Sequence, residues 1–474
     1  MKKFYFAALC IPLSAGGVLG QNTNSIGSRE FPIARAIEVY EHSRHTAPAE
    51  ASGVRADTIW SDSFNDASNW TIAHEGPVNV DWQIGVDLMN TGDFPTQPVE
   101  STTASDGYAM LDSDAGNNNT TELEFAHMTT AQPINLEAYT NVVLTFQMFY
   151  RQFTNDRPLI QISTNNMDWL TYNDLPSGTP IADFDVDAQP NIFDPLPGFA
   201  QGDILSNPHM VSINISSVAG SAQEVWVRFL WAGLWGYSWF VDDVAIIEQA
   251  PNDVWIDYGY VANNQEGIEY GRMPASNIGS ELYVGGQVTN FGIQAQNNIE
   301  LTVELEDSNG GMIGSTTFNE PSMESATSVM FDGSISVPTL SEGLYTVTYT
   351  LTSDEEQDGE EFGNNVEIRY FEVTSSLYSL DVIDVVPEED LLLSAYGTNS
   401  FEGSSDGFQV MTMYDVNAPL TVYGIDVLLA SGTVAGGEIT GMILDTMDVF
   451  AVPPVLSNNL AISDFHPVTQ TDVD

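Results

Sequence analysis

At 474 residues, with 66 acidic against 11 basic side chains and a net charge of −55, the chain is long enough for about three domains. It is too acidic to hold a phosphate backbone or an anionic bilayer, so nucleic acid and bare membrane are poor partners and divalent cations better ones. Its single cysteine, Cys10, lies in the apolar start of the chain, which leaves the rest without a thiol for a disulfide, a zinc site or a nucleophile.

Met1-Lys2-Lys3 precedes an apolar run from Phe4 to Leu19 that ends in Ser14, Ala15, Gly16 and Gly17. A charged start, an apolar middle and a small-residue exit predict a secretory signal peptide over 1–20, cleaved near Gly20-Gln21, and a secreted or cell-surface product. The run is too short and glycine-rich for a good membrane span, and no later stretch is apolar enough. A lipid anchor on Cys10 is disfavoured, because Leu9 stands where a small residue is needed. Residues 21–56 read as a linker or leader with a short helical pattern at Ile33–Tyr40.

From 57 to 249 the texture becomes short alternating runs rich in aromatics, separated by Asn, Asp, Gly and Pro, which is the pattern of an all-β sandwich. Val142–Tyr150 and Leu159–Ser163 are predicted strands. In Val225–Trp231 the side chains of Val225, Val227, Phe229 and Trp231 share one face, and Trp239–Ile246 is its expected partner. Ser177–Pro208 reads as a long loop. After a break at Gln249–Asp253, the span 253–375 carries cleaner strands: Glu281–Val288, Ile299–Leu305, Leu344–Leu351 and Val366–Val373. In the second of these Ile299, Leu301, Val303 and Leu305 alternate with polar residues, the sign of a half-buried antiparallel strand, and an immunoglobulin-like sandwich is expected. A third β unit over 376–474, with strands at Phe408–Tyr414, Leu420–Leu429 and Glu438–Leu444, reads as incomplete, as in a fragment of a longer protein.

Several of these residues carry a resemblance. Trp60-Ser61-Asp62-Ser63-Phe64-Asn65-Asp66 with Trp70, then Ala109–Asp114, Pro133–Leu136 and the closing Phe240-Val241-Asp242-Asp243-Val244-Ala245-Ile246 resemble the jelly-roll modules of the MAM and cleaved-adhesin type in exported proteins of Bacteroidetes-like bacteria. Val288-Thr289-Asn290-Phe291-Gly292, Gly343–Val347 and Gly363-Asn364-Asn365-Val366 are similar to CARDB-like, cell-adhesion-related immunoglobulin folds. The resemblance implies a modular exported protein, often sent out by type IX secretion; the C-terminal sorting domain of that route is not seen.

Hard oxygen ligands suit calcium, and two acidic groups are candidates. One is Asp112 and Asp114 with Asn117 and Glu122; their spacing is not that of an EF-hand, and a plain polar turn is the competing reading. The other is Asp242 and Asp243, which interrupt an apolar strand, so that one carboxylate must find a cation or donors. The resemblance implies that the first and last strands lie side by side, bringing Asp62, Asn65 or Asp66 to that pair. The acidic run Asp354–Glu361 reads as a solvated hairpin loop. Among the aromatics crowding 226–239, Trp235 and Tyr237, flanked by Gly233 and Gly236 in a turn, are the candidates for an exposed platform that would stack on a ligand. No His-Glu-x-x-His, Gly-x-Ser-x-Gly or phosphate-cradling loop occurs, and carboxylate pairs are too many for spacing to single one out. The expectation is a non-catalytic exported binding or adhesion protein for a glycan, matrix or cell-surface protein ligand, calcium being its one expected cofactor. The alternative is the accessory region of an exported glycosidase or peptidase.

Overall fold

The computed structural model describes residues 2–12 and, within 58–473, all but 93–95, 117–121, 154–155, 176–188, 198, 200–202, 235, 264–268, 357–363, 381–384, 386–407, 417–418, 420, 430–432 and 446–458. The linker at 21–56, Asn117, Trp235, the end of the acidic run and part of the 177–208 loop lie outside the described residues. The architecture is all-β, as the alternation and turn chemistry require. Strand β1 (Lys2–Pro12) pairs far along the chain, in the third unit.

The first unit is a two-layer sandwich. One layer runs β10 (His209–Asn214), β7 (Val142–Tyr150), β12 (Ser238–Glu248), β5 (Tyr108–Asp112), β4 (Trp82–Gly85), with β2 (Thr58–Asp62) also paired to β12. The other runs β3 (Trp70–Glu75), β6 (Glu124–Thr130), β11 (Trp226–Gly233), β8 (Arg157–Ser163), β9 (Ile192–Phe193). From β5 onward the chain crosses from layer to layer at almost every strand, as in a jelly roll. Val225, Val227, Phe229 and Trp231 all enter the core, as their alternation predicts. The Phe229 ring lies 5.8 Å from Trp70, 5.1 Å from Phe146 and 5.9 Å from Trp239, joining the two layers.

One expectation is corrected. β11 and β12 are adjacent in sequence but do not pair: β11 pairs with β6 and β8, β12 with β2, β5 and β7. The short link between them crosses from one layer to the other, so the two aromatic strands meet face to face, through side chains and not through a ladder. A Cβ built on Gly236 in that link would stand 2.7 Å from both Asp156 Oδ2 and the Trp231 ring, so only glycine makes the crossing this close.

The second unit packs a three-stranded sheet, β13 (Val254–Ala262), β15 (Glu281–Asn290) and β18 (Thr327–Ser336), on a five-stranded one. The larger sheet runs β14 (Arg272–Pro274), β20 (Val366–Thr374), β19 (Gly343–Thr352), β16 (Gln296–Asp307), β17 (Met312–Met323). Ile299, Leu301, Val303 and Leu305 line its core. At the start of β19 the Tyr345 hydroxyl donates to the Ser341 carbonyl at 2.9 Å, the tyrosine-corner arrangement of immunoglobulin-like sandwiches. The break between the two sandwiches is hydrogen-bonded into both. Gln249 takes a bond from Asn214 Nδ2 at 2.9 Å and donates Nε2 to the Phe291 carbonyl, while the amides of Ile293 and Gln294 bond back to Ala250 and Pro251.

In the third unit β1 lies between β21 (Phe408–Val416) and β22 (Gly437–Asp445), antiparallel to both, with β23 (Ala461–Ile462) and β24 (His466–Pro467) on the far side of β22. Residues 421–429, predicted as a strand, are not one. Among the described residues they have no ladder partner, since β1 uses the facing edges of β21 and β22, and Tyr423 and Leu428 stay exposed.

Candidate functional site

The aspartates of β12 meet the loop that precedes β5. Asp242, fully buried, accepts from Ser101 Oγ at 2.6 Å, Thr103 Oγ1 at 3.3 Å and the Asp243 amide at 2.7 Å. Asp243 accepts from the amide and hydroxyl of Thr103 at 3.2 and 2.8 Å. A bulge between Asp242 and Ala245, with Asp243 at φ 51°, turns both carboxylates to this loop. Burial, partly offset by the Ser101 hydrogen bond, raises the Asp242 carboxyl to about 6. β2 does lie beside β12, with Asp62 opposite Val244. Yet the oxygens of Asp62 are engaged by the Phe64 amide (2.8 Å), Asn69 Nδ2 (2.7 Å) and Trp70 Nε1 (3.2 Å), and Asp66 caps its own turn on Ser68. Asn65 is exposed. The structure therefore brings Asp242 and Asp243 together and gives Asp62, Asn65 and Asp66 to a turn.

Asp112 accepts from the Thr91 amide at 2.6 Å and the Ala115 amide at 3.1 Å, and Asp114 lies against the Gly92 backbone. Glu122 is exposed and takes a bond from the Tyr172 hydroxyl at 3.3 Å. Among the described residues no three His, Cys, Asp or Glu side chains converge closely enough to hold a metal ion. At the start of the acidic run Asp354 and Glu355 are exposed, as a solvated loop requires, while accepting from Asn298 and Asn297, and Glu356 alone is buried, accepting from the Val254 amide at 2.8 Å.

Behind the β11–β12 crossing stands an acid that sequence reasoning missed. Glu124 is 1% exposed; its Oε2 accepts from Ser113 Oγ (2.6 Å) and Trp231 Nε1 (2.8 Å), while Oε1 has no partner among the described residues. Ser113 Oγ in turn accepts from the Gly236 amide at 2.8 Å, and the Ser113 amide donates to the Tyr237 carbonyl at 3.3 Å. Burial first, then the charges of Asp156 and Asp112, push the Glu124 carboxyl up to about 7. Tyr237 is half-buried: its ring meets Phe153 at 5.4 Å and the Arg151 guanidinium at 4.5 Å, so it is not a free platform.

A more open arrangement lies on the outer face of the β3–β9 layer. Strand alternation turns Phe125, His127 and Thr129 of β6, Leu159 and Gln161 of β8, and Arg228, Leu230 and Ala232 of β11 away from the main core. Residues 164–175 and β9 fold over them. At one end Leu170, Leu175 and Ile192 form a second small core with Phe125, Leu159 and Leu230. At the other end the layer is polar. Arg228 donates Nε to Thr129 Oγ1 at 2.9 Å, and its guanidinium stands 4.0 Å from the centre of the Trp169 ring, a cation–π contact. Burial pulls the guanidinium down to about 10. Gln161, opposite Arg228 in the ladder, is fully buried with both amide atoms unpartnered among the described residues. His127 lacks a partner at Nδ1 among the described residues, and burial, with Arg228 nearby, lowers it to about 4.

Over this end opens a cleft of about 410 Å³ lined by Met167, Asp168, Trp169, Leu170, Asp174, Gln189, Asn191 and Ile192. Its wall is pre-shaped. Asn165 Oδ1 accepts the amides of Met167 and Asp168 at 2.8 and 3.0 Å, Asn191 Nδ2 donates to the Asp168 carbonyl at 3.0 Å, and Asp174 caps Thr171 at 2.7 Å. An indole with carboxylates and carboxamides around it can stack on a ring and hydrogen-bond hydroxyls. The signal in the sequence is Trp169 in a polar turn, together with Gln161 and Arg228 inside otherwise apolar strands.

No protein family and no curated protein matches the chain. Among solved structures, β-glucuronidase from Bacteroides uniformis is 11% identical, covering 64% of this chain and 32% of that one at a TM-score of 0.30. A β-glucuronidase from Ruminococcus gnavus is 11% identical over 64% of this chain and 46% of that one at 0.26. The chain thus spans less than half the length of these proteins, and a likeness this low carries no activity across.

Proposed function

We propose that the chain is an exported, non-catalytic binding protein whose first sandwich engages a glycan in the cleft beside Trp169, the later units serving as spacers, with calcium held at Asp242 and Asp243. The jelly-roll and CARDB-like resemblances fit a modular adhesin of this kind. The observation that carries the reading is the cleft itself: an aromatic ring on a pre-shaped turn, flanked by Asp168, Asp174, Gln189 and Asn191. A sugar presents an apolar ring face and a rim of hydroxyls, which need a flat aromatic and fixed acceptors and donors respectively. On this reading the cleft, and not the Tyr237 turn, is the platform.

The test is a glycan array probed with the full chain, followed by calorimetric titration of the hits. Trp169→Ala is expected to weaken binding about tenfold or more, as loss of about 1.4 kcal/mol of stacking implies, with an unchanged circular dichroism spectrum. Retention of full affinity by this variant, or an array without hits, would overturn the assignment.

A further inference from the structure

We infer that Arg228 and Gln161, beneath Trp169, form a receiving site for a carboxylate, so that the glycan carries an acidic sugar; this rests on the glycan reading above. The first ground is charge. The chain has only 11 basic residues against 66 acidic ones, and three described arginines meet carboxylates: Arg157 pairs with Asp194, Arg272 with Glu372, and Arg369 with Glu367 and Glu269. Arg228 is 7% exposed and, among the described residues, forms no ion pair. Glu75 acts on it only from beyond ion-pair distance; a guanidinium withdrawn from water without a carboxylate in contact is costly.

The second ground is the neighbour. Gln161 faces Arg228 across adjacent strands, fully buried with neither amide atom bonded. A carboxylate could take two parallel N–H bonds from the guanidinium and a third from the Gln161 amide, leaving the Gln161 carbonyl for a ring hydroxyl. With Nε given to Thr129 and the guanidinium stacked on Trp169, the two Nη groups are the donors for that use. The indole is held by this stack and by one long hydrogen bond to Asn166 Oδ1, 3.3 Å, so it can yield to an entering group. The net charge sets the class further. At about 0.15 M salt, screening over roughly 8 Å lets one carboxylate on a neutral glycan approach a local cation, whereas a polyuronate would meet the repulsion of the whole surface.

The experiment compares sugars matched except for the carboxylate, galacturonic acid against galactose and glucuronic acid against glucose, titrated into the full chain at about 0.15 M salt. The acidic member of at least one pair is expected to bind about tenfold tighter. Arg228→Gln should lower the acidic member's affinity about tenfold more than that of its neutral partner, whose smaller loss reads only the removal of the stack that holds Trp169. If Arg228→Gln fails to fold, Gln161→Glu serves in its place, since a buried negative charge should abolish the acidic preference. Equal binding of acidic and neutral members, or equal loss of both in the variant, would mean that buried water fills the pair and would overturn the inference while leaving the glycan reading intact. Absence of binding by any glycan would sink both.

Discussion

Glu124→Gln is expected to stabilise the first sandwich by about 3 kcal/mol at pH 8 and by almost nothing at pH 4. The Glu124 carboxyl sits near 7 in the fold against an ordinary value of 4.5. The folded chain therefore holds the proton more tightly than the unfolded one. Stability is fully present below about 4.5 and is lost as pH rises through 7, reaching about 3 kcal/mol once the group is ionised in both states. Glutamine reproduces the neutral form: its carbonyl can take the Ser113 and Trp231 bonds, and its NH₂ replaces Oε1, which has no partner among the described residues. In urea melts at the two pH values the wild-type transition should fall with pH and the variant's should stay nearly level. Parallel curves for the two proteins would refute a buried, late-titrating acid behind the β11–β12 crossing.

Calcium is expected to raise the melting temperature of the first sandwich by about 5–10 °C at pH 8, from about 2.7 kcal/mol at a hundredfold excess over the dissociation constant. The effect should shrink towards pH 5. Metal-free Asp242 is raised to about 6 by its burial, so a cation must displace its proton below that pH and replaces no proton above it. The hydroxyls of Ser101 and Thr103 already point at both carboxylates, and their oxygens can pass to the ion. Asp243→Ala should remove the calcium response. An unchanged melt with calcium and with chelator would mean that the hydroxyl bonds alone hold Asp242 and Asp243.

Local alternation made most strands legible, because a half-buried strand must alternate: Ile299 to Leu305 and Val225 to Trp231 face as their spacing dictates. Pairing was less legible. A four-residue link between β11 and β12 looks like a hairpin, and only the three-dimensional closeness of Gly236 to Trp231 shows that it crosses layers. Over 421–429 the predicted strand failed because a strand exists only with a partner, and β1 holds that place; on the export reading, cleavage near Gly20 would withdraw β1 from the third sheet. Among the sites, Asp242 was found because a charge inside an apolar strand is conspicuous. Trp169, Gln161, Arg228 and Glu124 were not, since they lie far apart in sequence and gain meaning only from the sheet that brings them together.

The most direct measurement is amide hydrogen exchange of the full chain with and without the best glycan from the array. Binding at the proposed cleft predicts slowed exchange in residues 164–175 and 189–193, with 236–238 unaffected. Protection confined to the Tyr237 turn, or absent from the cleft, would contradict the account.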